Sequence, residues 1–327
     1  MISSASRRGH DGALAWNAWG SSCGRVIAQS GVTRGRRCRL AACVALATIM
    51  GCAASASRSA PDDSAGGREQ TLAPFASALA GGSESLVLFE SALVDLTYPF
   101  DAGTVYWPTS TPFRLRRVAR GRTAAGYWYA ANDFSAAEHG GTHLDAPIHF
   151  HENGWTTEQV PLGRLVGPAV VIDIRARARD DADAELTVAD LDAWERAHGR
   201  IPDGAIVLLH SGWGARWPDA ARYLGSSARG RATALRFPGF SRAGAEFLVR
   251  ERSIDAVGTD TASIDPGRSR DFIAHRVFAA ANVPALENVA NLDRLPAAGA
   301  VLIALPMKIA GGTGGPVRVV AVLPDAR

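Results

Sequence analysis

The chain has 327 residues, 47% of them hydrophobic and 20% charged, which fits an ordinary soluble globular protein of one large domain or two small ones. Its formal net charge of +3 is unevenly placed: basic residues crowd the stretch from Arg7 to Arg39, where Asp11 is the one acidic residue, and the remainder is slightly acidic. Taken over its length the remainder carries no basic excess, so no nucleic-acid partner is expected.

In chain order, the first feature has the layout of an export signal. Arg34, Arg36, Arg37 and Arg39 form a basic region, and the apolar run Leu40 to Met50 follows. That run has the length of a signal-peptide core and is too short to span a bilayer as a stable helix. It ends in Ile49-Met50-Gly51-Cys52, which resembles a bacterial lipobox whose cysteine becomes the lipidated mature N-terminus. Arg36-Arg37 followed by Leu40 also resembles a twin-arginine signal. Residues 1–52 are therefore expected to be a basic leader and signal peptide, making the protein exported, either periplasmic or a membrane-anchored bacterial lipoprotein. All four cysteines, Cys23, Cys38, Cys43 and Cys52, lie in this leader. No disulfide framework, thiolate metal site or cysteine nucleophile is left for the mature chain, so any metal must be held by imidazole and carboxylate.

Residues 53–83, rich in Ala, Ser, Gly and Asp, read as a flexible linker. A folded domain is expected over 84–327. Its strands are announced by short apolar runs: LVLF at 86–89, TVYW at 104–107, YWYA at 127–130, AVVIDI at 169–174, AIVLLH at 205–210, AVLIAL at 300–305 and VRVVAVL at 317–323. Continuous Val/Ile/Leu runs suit strands covered on both faces. Between them, Thr187 and Asp190 form a capping-box-like helix start with Gly199 as the stop, and Ser241 opens a second helix with Ala245, Leu248 and Val249 on one side. The segment 271–281 is predicted as a third helix, and RARARDDADAE at 175–185 as a solvated loop. The result is a mixed α/β domain with a substantial sheet.

The chemistry concentrates in HGGTHLDAPIHFH, residues 139–151, which holds four of the chain's eight histidines. Its spacing, H-x3-H-x-D-x3-H, collects His139, His143, Asp145 and His149. In extended chain His143 and Asp145 project to the same side. Gly140 and Gly141 allow the tight backbone that turns His139 towards them, and Pro147 interrupts any regular helix before His149. Neutral imidazoles and a carboxylate converging in this way suit a divalent ion. His198 and His210, which stand alone, read as ordinary hydrogen-bonded residues.

HGGTHLDAPIHF resembles the signature of the cyclase-like metal-dependent hydrolases, a family that includes bacterial kynurenine formamidases and isatin hydrolases. LHSGWGARW (209–217), FPGFSRAGAEFL (237–248), VGTDTASIDPG (257–267), AHRVFAAANVPALENVANLD (274–293) and LPMKIAGGTGGPVRVVAV (305–322) resemble further family blocks, in the family order, across roughly residues 92–323. The resemblance implies that His139, His143 and Asp145 are metal ligands, that His149 transfers protons, and that His275 and Glu287 complete the site. In isatin hydrolases the position of Glu287 looks like Gln, so glutamate here tilts the resemblance towards the formamidase-like pattern, with two metals bridged by carboxylates. The implied fold is a swivelling β/β/α arrangement: a single domain with a mixed, barrel-like central sheet and flanking helices. Implied too are one or two Zn or Mn ions per chain, a homodimer or homotetramer, and Trp107 and Trp213 near the substrate. Trp155 is a third flat side chain close to these motifs.

Such a site activates water for attack on a small-molecule amide or lactam, with His149 moving the proton to the leaving nitrogen. A lactonase or dehydrating cyclase on the same site, and a non-catalytic metal- or solute-binding lipoprotein, are the alternatives. Gly311 to Gly315 (GGTGG) lacks the lysine and the strand–loop–helix context of a phosphate loop, and reads as a turn by the site or the sheet edge.

Overall fold

The computed structural model describes residues 92–226 and 234–324, all within the compact unit Arg68–Arg327. The predicted leader, Cys52, the linker, the strand at 86–89 and the boundary at residue 84 lie outside the described residues. In chain order the elements are β1 (Leu93–Asp95), β2 (Arg114–Arg122), β3 (Trp128–Ser135), β4 (His143–Asp145), β5 (Val166–Asp173), α1 (Arg175–Asp180), β6 (Glu185–Leu186), α2 (Val188–His198) and β7 (Ile206–His210). There follow α3 (Ala220–Leu224), β8 (Gly239–Phe240), α4 (Arg242–Glu251), β9 (Ala256–Thr259), α5 (Ile273–Ala280), β10 (Ala285–Glu287), β11 (Val301–Pro306) and β12 (Gly314–Val322).

The Val/Ile/Leu runs become the parallel strands β5, β7 and β9, continued in parallel by β10. From β10 the sheet passes through antiparallel β4, β12 and β11 and returns to β5, which closes a seven-stranded mixed barrel. Strand β12 makes the closure possible by dividing one edge: Gly314–Pro316 pair with β4, while Val320–Val322 pair with β1.

Alternation along the strands sorts side chains to the two sides of the wall. Leu144, Leu208, Leu286, Leu302 and Val319 fill the interior and are fully buried. Val207, Leu209, Val257 and Ala285 face outward and pack against Leu191, Leu248 and Phe278 from helices α2, α4 and α5. This parity has a direct consequence for chemistry. With Leu144 and Leu286 inward, His143, Asp145 and Glu287 must face out, so the site forms on the barrel's outer wall, beneath α5.

The helix signals hold at the level of individual hydrogen bonds. Thr187 and Asp190 form the reciprocal capping box of α2, Gly199 ends it at φ 89°, and Ser241 Oγ accepts from Gly244 N–H at the start of α4. The segment 175–185 departs from expectation: Arg175–Asp180 is helical, not a loop. Asp173 accepts the Arg175 N–H, Arg177 pairs with Asp190, and Ala178 buries its methyl in the core. The basic run Arg114–Arg122 forms β2, in a hairpin with β3; Leu115, Tyr127 and Trp128 of this hairpin are each at least 60% exposed.

Helix α2 is tied to the end of α4 by one well-enclosed ion pair. Glu195 accepts from Arg252 Nε at 2.7 Å and from an Arg252 Nη at 2.6 Å, and also from Ile201 N–H at 2.9 Å. The Arg252 hydrogen bonds hold the Glu195 carboxyl below its ordinary value. A depressed pKa contributes stability above the unfolded value, about 4.3, that is lost as pH falls through the folded value. Glu195→Gln should therefore cost about 1–3 kcal/mol near neutral pH, and the difference from wild type should shrink by pH 3. Urea melts at the two pH values test this; a deficit unchanged at pH 3 would contradict it.

Candidate metal centre

Two glycines bring His139 back to β4. Gly141 sits at φ 59°, a left-handed conformation that disfavours a side chain, and a Cβ on Gly140 would lie 2.1 Å from the Tyr106 ring. The chain then enters β4, where His143 stands opposite Glu287 and Asp145 opposite Ala285 of β10. On the other side Gly314 of β12 pairs with Asp145, and a Cβ there would lie 2.6 Å from His139 Cε1. The GGTGG run is thus the turn beside the site, and the missing side chain of Gly314 is the space the His139 ring occupies. Gly314→Ala should displace that ring and weaken the affinity of the cluster for a divalent ion about 10-fold or more, as loss of ligand orientation does. Chelator competition measures it; an unchanged affinity would mean the ring's seat does not matter.

All three inner imidazoles are pinned at the nitrogen that points away from the centre. The Thr313 hydroxyl donates to Glu138 at 2.5 Å, so it accepts from His139 Nε2–H at 2.8 Å. His143 Nδ1–H donates to the Gly141 carbonyl at 2.9 Å, which also takes Asn288 Nδ2–H at 2.7 Å. His275 Nδ1–H donates to Asp265 at 2.6 Å. The remaining nitrogens converge on two carboxylates. His139 Nδ1 is 2.6 Å from Asp145 Oδ1, and His143 Nε2 is 3.2 Å from Asp145 and 3.4 Å from Glu287. His275 Nε2 is 3.1 Å from each carboxylate. His143 Nε2 is buried and makes no hydrogen bond.

Lone pairs from nitrogen and oxygen meeting in one buried place require a cation or extra protons. Without an ion, protons fill that role. Burial disfavours the charged His143, but Asp145 and Glu287 outweigh it and push its pKa up to about 9. His275 is raised well above its ordinary value: burial opposes this, and hydrogen bonds to Asp145, Asp265 and Glu287 prevail. Asp145 is likewise held well below the usual carboxylate range by its histidine neighbours, against the effect of burial. A divalent ion fits the same donors, and sulfur-free N/O donors suit zinc or manganese alike. The donor atoms fall into two groups sharing Asp145, namely His143/Asp145/Glu287 and His139/Asp145/His149, each within 4.8 Å.

His149 differs from the other histidines. It follows a short 3-10 turn opened by Pro147, stacks on His139 with ring centroids 3.9 Å apart, and lines the cavity with one part of its surface open to solvent and its ring packed among His139, Phe150 and His275. Loss of hydration first, with the neighbouring histidines adding to it against Asp145, pulls its pKa down to about 4. In the metal-free protein it is therefore neutral at pH 7.

A cavity of about 220 Å³ opens over this cluster, walled by Tyr106, Trp107, Phe150 and Phe272. Phe150 lies 4.4 Å from the His275 ring, and Trp107 packs against Phe237 and Phe272. Phe272 adopts φ 49°, strained for a bulky residue, which turns its ring to the cavity at the head of α5. Trp107 lines the cavity. Trp213 does not: it is 1% exposed, its Nε1–H donates to the Tyr223 carbonyl, and it packs in the core, so it cannot stack on a substrate. Trp155 packs against the barrel core with Arg164 over its ring. Sequence reasoning missed Asp265, Asn288, Thr313, Phe150 and Phe272. Asp265, Asn288 and Thr313 lay in family blocks already singled out, which was the available signal.

Comparison with known proteins agrees with this geometry. The profile of the Cyclase family, described as "Putative cyclase", matches residues 94–266. Isatin hydrolase of Roseibium aggregatum is 35% identical over 210 residues, 62% of this chain and 78% of that protein. Kynurenine formamidase of Salinibacter ruber is 29% identical over 235 residues, 72% of this chain and 98% of that protein. The solved structure of isatin hydrolase A from Ralstonia solanacearum superposes with a TM-score of 0.66 at 34% identity, covering 82% of this chain and all of that one. The closed mixed barrel with flanking helices is the fold of these relatives, and the chain belongs to the Cyclase family.

Proposed function

We propose that the protein is a metal-dependent hydrolase that cleaves an amide or lactam C–N bond in a small aromatic substrate. The observation that carries this reading is the convergence of three imidazole lone pairs, each fixed from behind, on two buried carboxylates under an aromatic-walled cavity. His139, His143, Asp145, His275 and Glu287 would hold one or two zinc or manganese ions. A bound ion supplies Lewis acidity, which acidifies water and polarises a carbonyl.

The chain's own residues do the rest. Trp107, Phe150 and Phe272 offer flat apolar faces that orient an aromatic ring and exclude bulk water. His149, neutral and beside the cluster, takes a proton from the attacking water and returns it to the departing nitrogen. A C–O bond forms as the C–N bond breaks, giving a carboxylate and an amine, or a ring-opened amino acid from a lactam. Relatives named for isatin and for kynurenine formamide hydrolysis support the bond type.

The test is turnover of isatin, N-formylkynurenine and simple lactones by the purified protein, chelated and then reloaded with zinc or manganese. C–N hydrolysis that disappears on chelation and returns on reloading is expected. Turnover confined to lactones would replace the reading with a lactonase, and bound metal without any turnover would favour a binding protein.

A further inference from the structure

We propose that Asp265 is a positioning residue, holding His275 so that its Nε2 lone pair meets the metal; this rests on the hydrolase reading above. Asp265 is fully buried, and among the described ion pairs its one partner is His275. One carboxylate oxygen accepts the Ala274 N–H at 2.9 Å. The other accepts the His275 N–H at 3.1 Å and the His275 Nδ1–H at 2.6 Å. Phe272, at the N-cap of α5, provides no capping side chain, so Asp265 caps the helix from outside it. It therefore has two separable duties, capping α5 and orienting the imidazole three residues into the helix region.

The neighbouring residue serves the other late donor. Ile264 N–H donates to Glu287 Oε1 at 2.9 Å. Residues 264 and 265 thus hold Glu287 and His275 from adjacent points of one buried strap, while the early donors are held by Gly141 and Thr313. A carboxylate behind a histidine ligand fixes the ring's tautomer and raises its basicity, and its loss costs about 10–100-fold in metal affinity.

Asp265→Asn, read in two backgrounds, separates the duties. The amide oxygen still accepts from Ala274 N–H, while the amide NH2 replaces the oxygen that accepts both the His275 N–H and its Nδ1–H; His275→Ala keeps the backbone N–H and removes only the ring. Zinc dissociation constants of the wild type, Asp265→Asn, His275→Ala and the double variant form a thermodynamic cycle. Asp265→Asn is expected to bind zinc about 10–100-fold more weakly than wild type, with an unchanged far-ultraviolet circular dichroism spectrum. In the His275→Ala background the same change should matter little. Should Asp265→Asn not fold, the cobalt-loaded wild type remains informative: a hyperfine-shifted, slowly exchanging imidazole N–H, lost in His275→Ala, is expected. Wild-type zinc affinity in Asp265→Asn, an equal loss in both backgrounds, or no such N–H signal overturns the role of Asp265 alone. A wild type that binds neither zinc nor cobalt overturns the hydrolase reading as well.

Discussion

Asp145→Asn is expected to abolish zinc binding and to lower turnover on the order of 10³-fold, the size of a lost principal electrostatic contribution. The reason is geometric. Asp145 Oδ1 faces His139 Nδ1 and His143 Nε2, at 2.6 and 3.2 Å, while Oδ2 faces His275 Nε2 at 3.1 Å. One carboxylate therefore touches all three inner imidazoles and belongs to both groups of donor atoms. Asparagine keeps the shape but removes the charge and turns an NH2 towards nitrogen lone pairs that need a cation. In the metal-free protein the same change strips the counter-charge from His143 and His275, and losing one partner of a buried pair costs about 3–5 kcal/mol. Zinc titration, turnover and urea unfolding of the variant measure the three effects. Retained zinc at wild-type affinity would remove Asp145 from the centre.

His149→Ala should behave oppositely in one respect: kcat should fall about 10²–10⁴-fold, the range for a general acid–base group, while zinc stays bound. His149 stands exposed at the cavity and is neutral at pH 7, its pKa pulled to about 4, whereas the other histidines of the cluster are fixed by hydrogen bonds on their far nitrogens. It also lies within reach of a donor group with His139 and Asp145, which makes the metal content decisive. Loss of zinc together with turnover would identify His149 as a ligand and end its role in proton transfer.

The part of the site that follows from local periodicity was legible in the sequence. His143 and Asp145 share a face because alternate residues of a strand do, and the inward Leu144 between them decides that the face is the outer one. The turn of His139 was readable from Gly140 and Gly141. His275 and Glu287 were legible only through resemblance, because what brings them in is the pairing of β10 with β4 and the seat of α5, contacts across more than 100 residues. Strands β4, β9 and β10 are three or four residues long, too short for a period to show.

The supporting groups left no pattern of spacing; the resembling blocks around Asp265, Asn288 and Thr313 were their one signal. Two of the three pins behind the imidazoles are a backbone carbonyl and a threonine hydroxyl, which no spacing rule marks. Trp213 lies away from the cavity because its indole N–H is satisfied by the Tyr223 carbonyl inside the core, a contact that no local spacing announces. In α1 the mixed charge of RARARDDADAE concealed the one buried methyl, Ala178, that docks the helix.

On the proposed function, this buried cluster is a metal site that performs hydrolysis. The most direct measurement is metal content per chain of the purified protein, by mass spectrometry, alongside turnover of isatin and N-formylkynurenine before and after chelation. One or two equivalents of zinc or manganese, lost together with turnover and restored with it, is the predicted result. A protein that takes up no divalent metal, or whose turnover is unchanged by chelation, would contradict it.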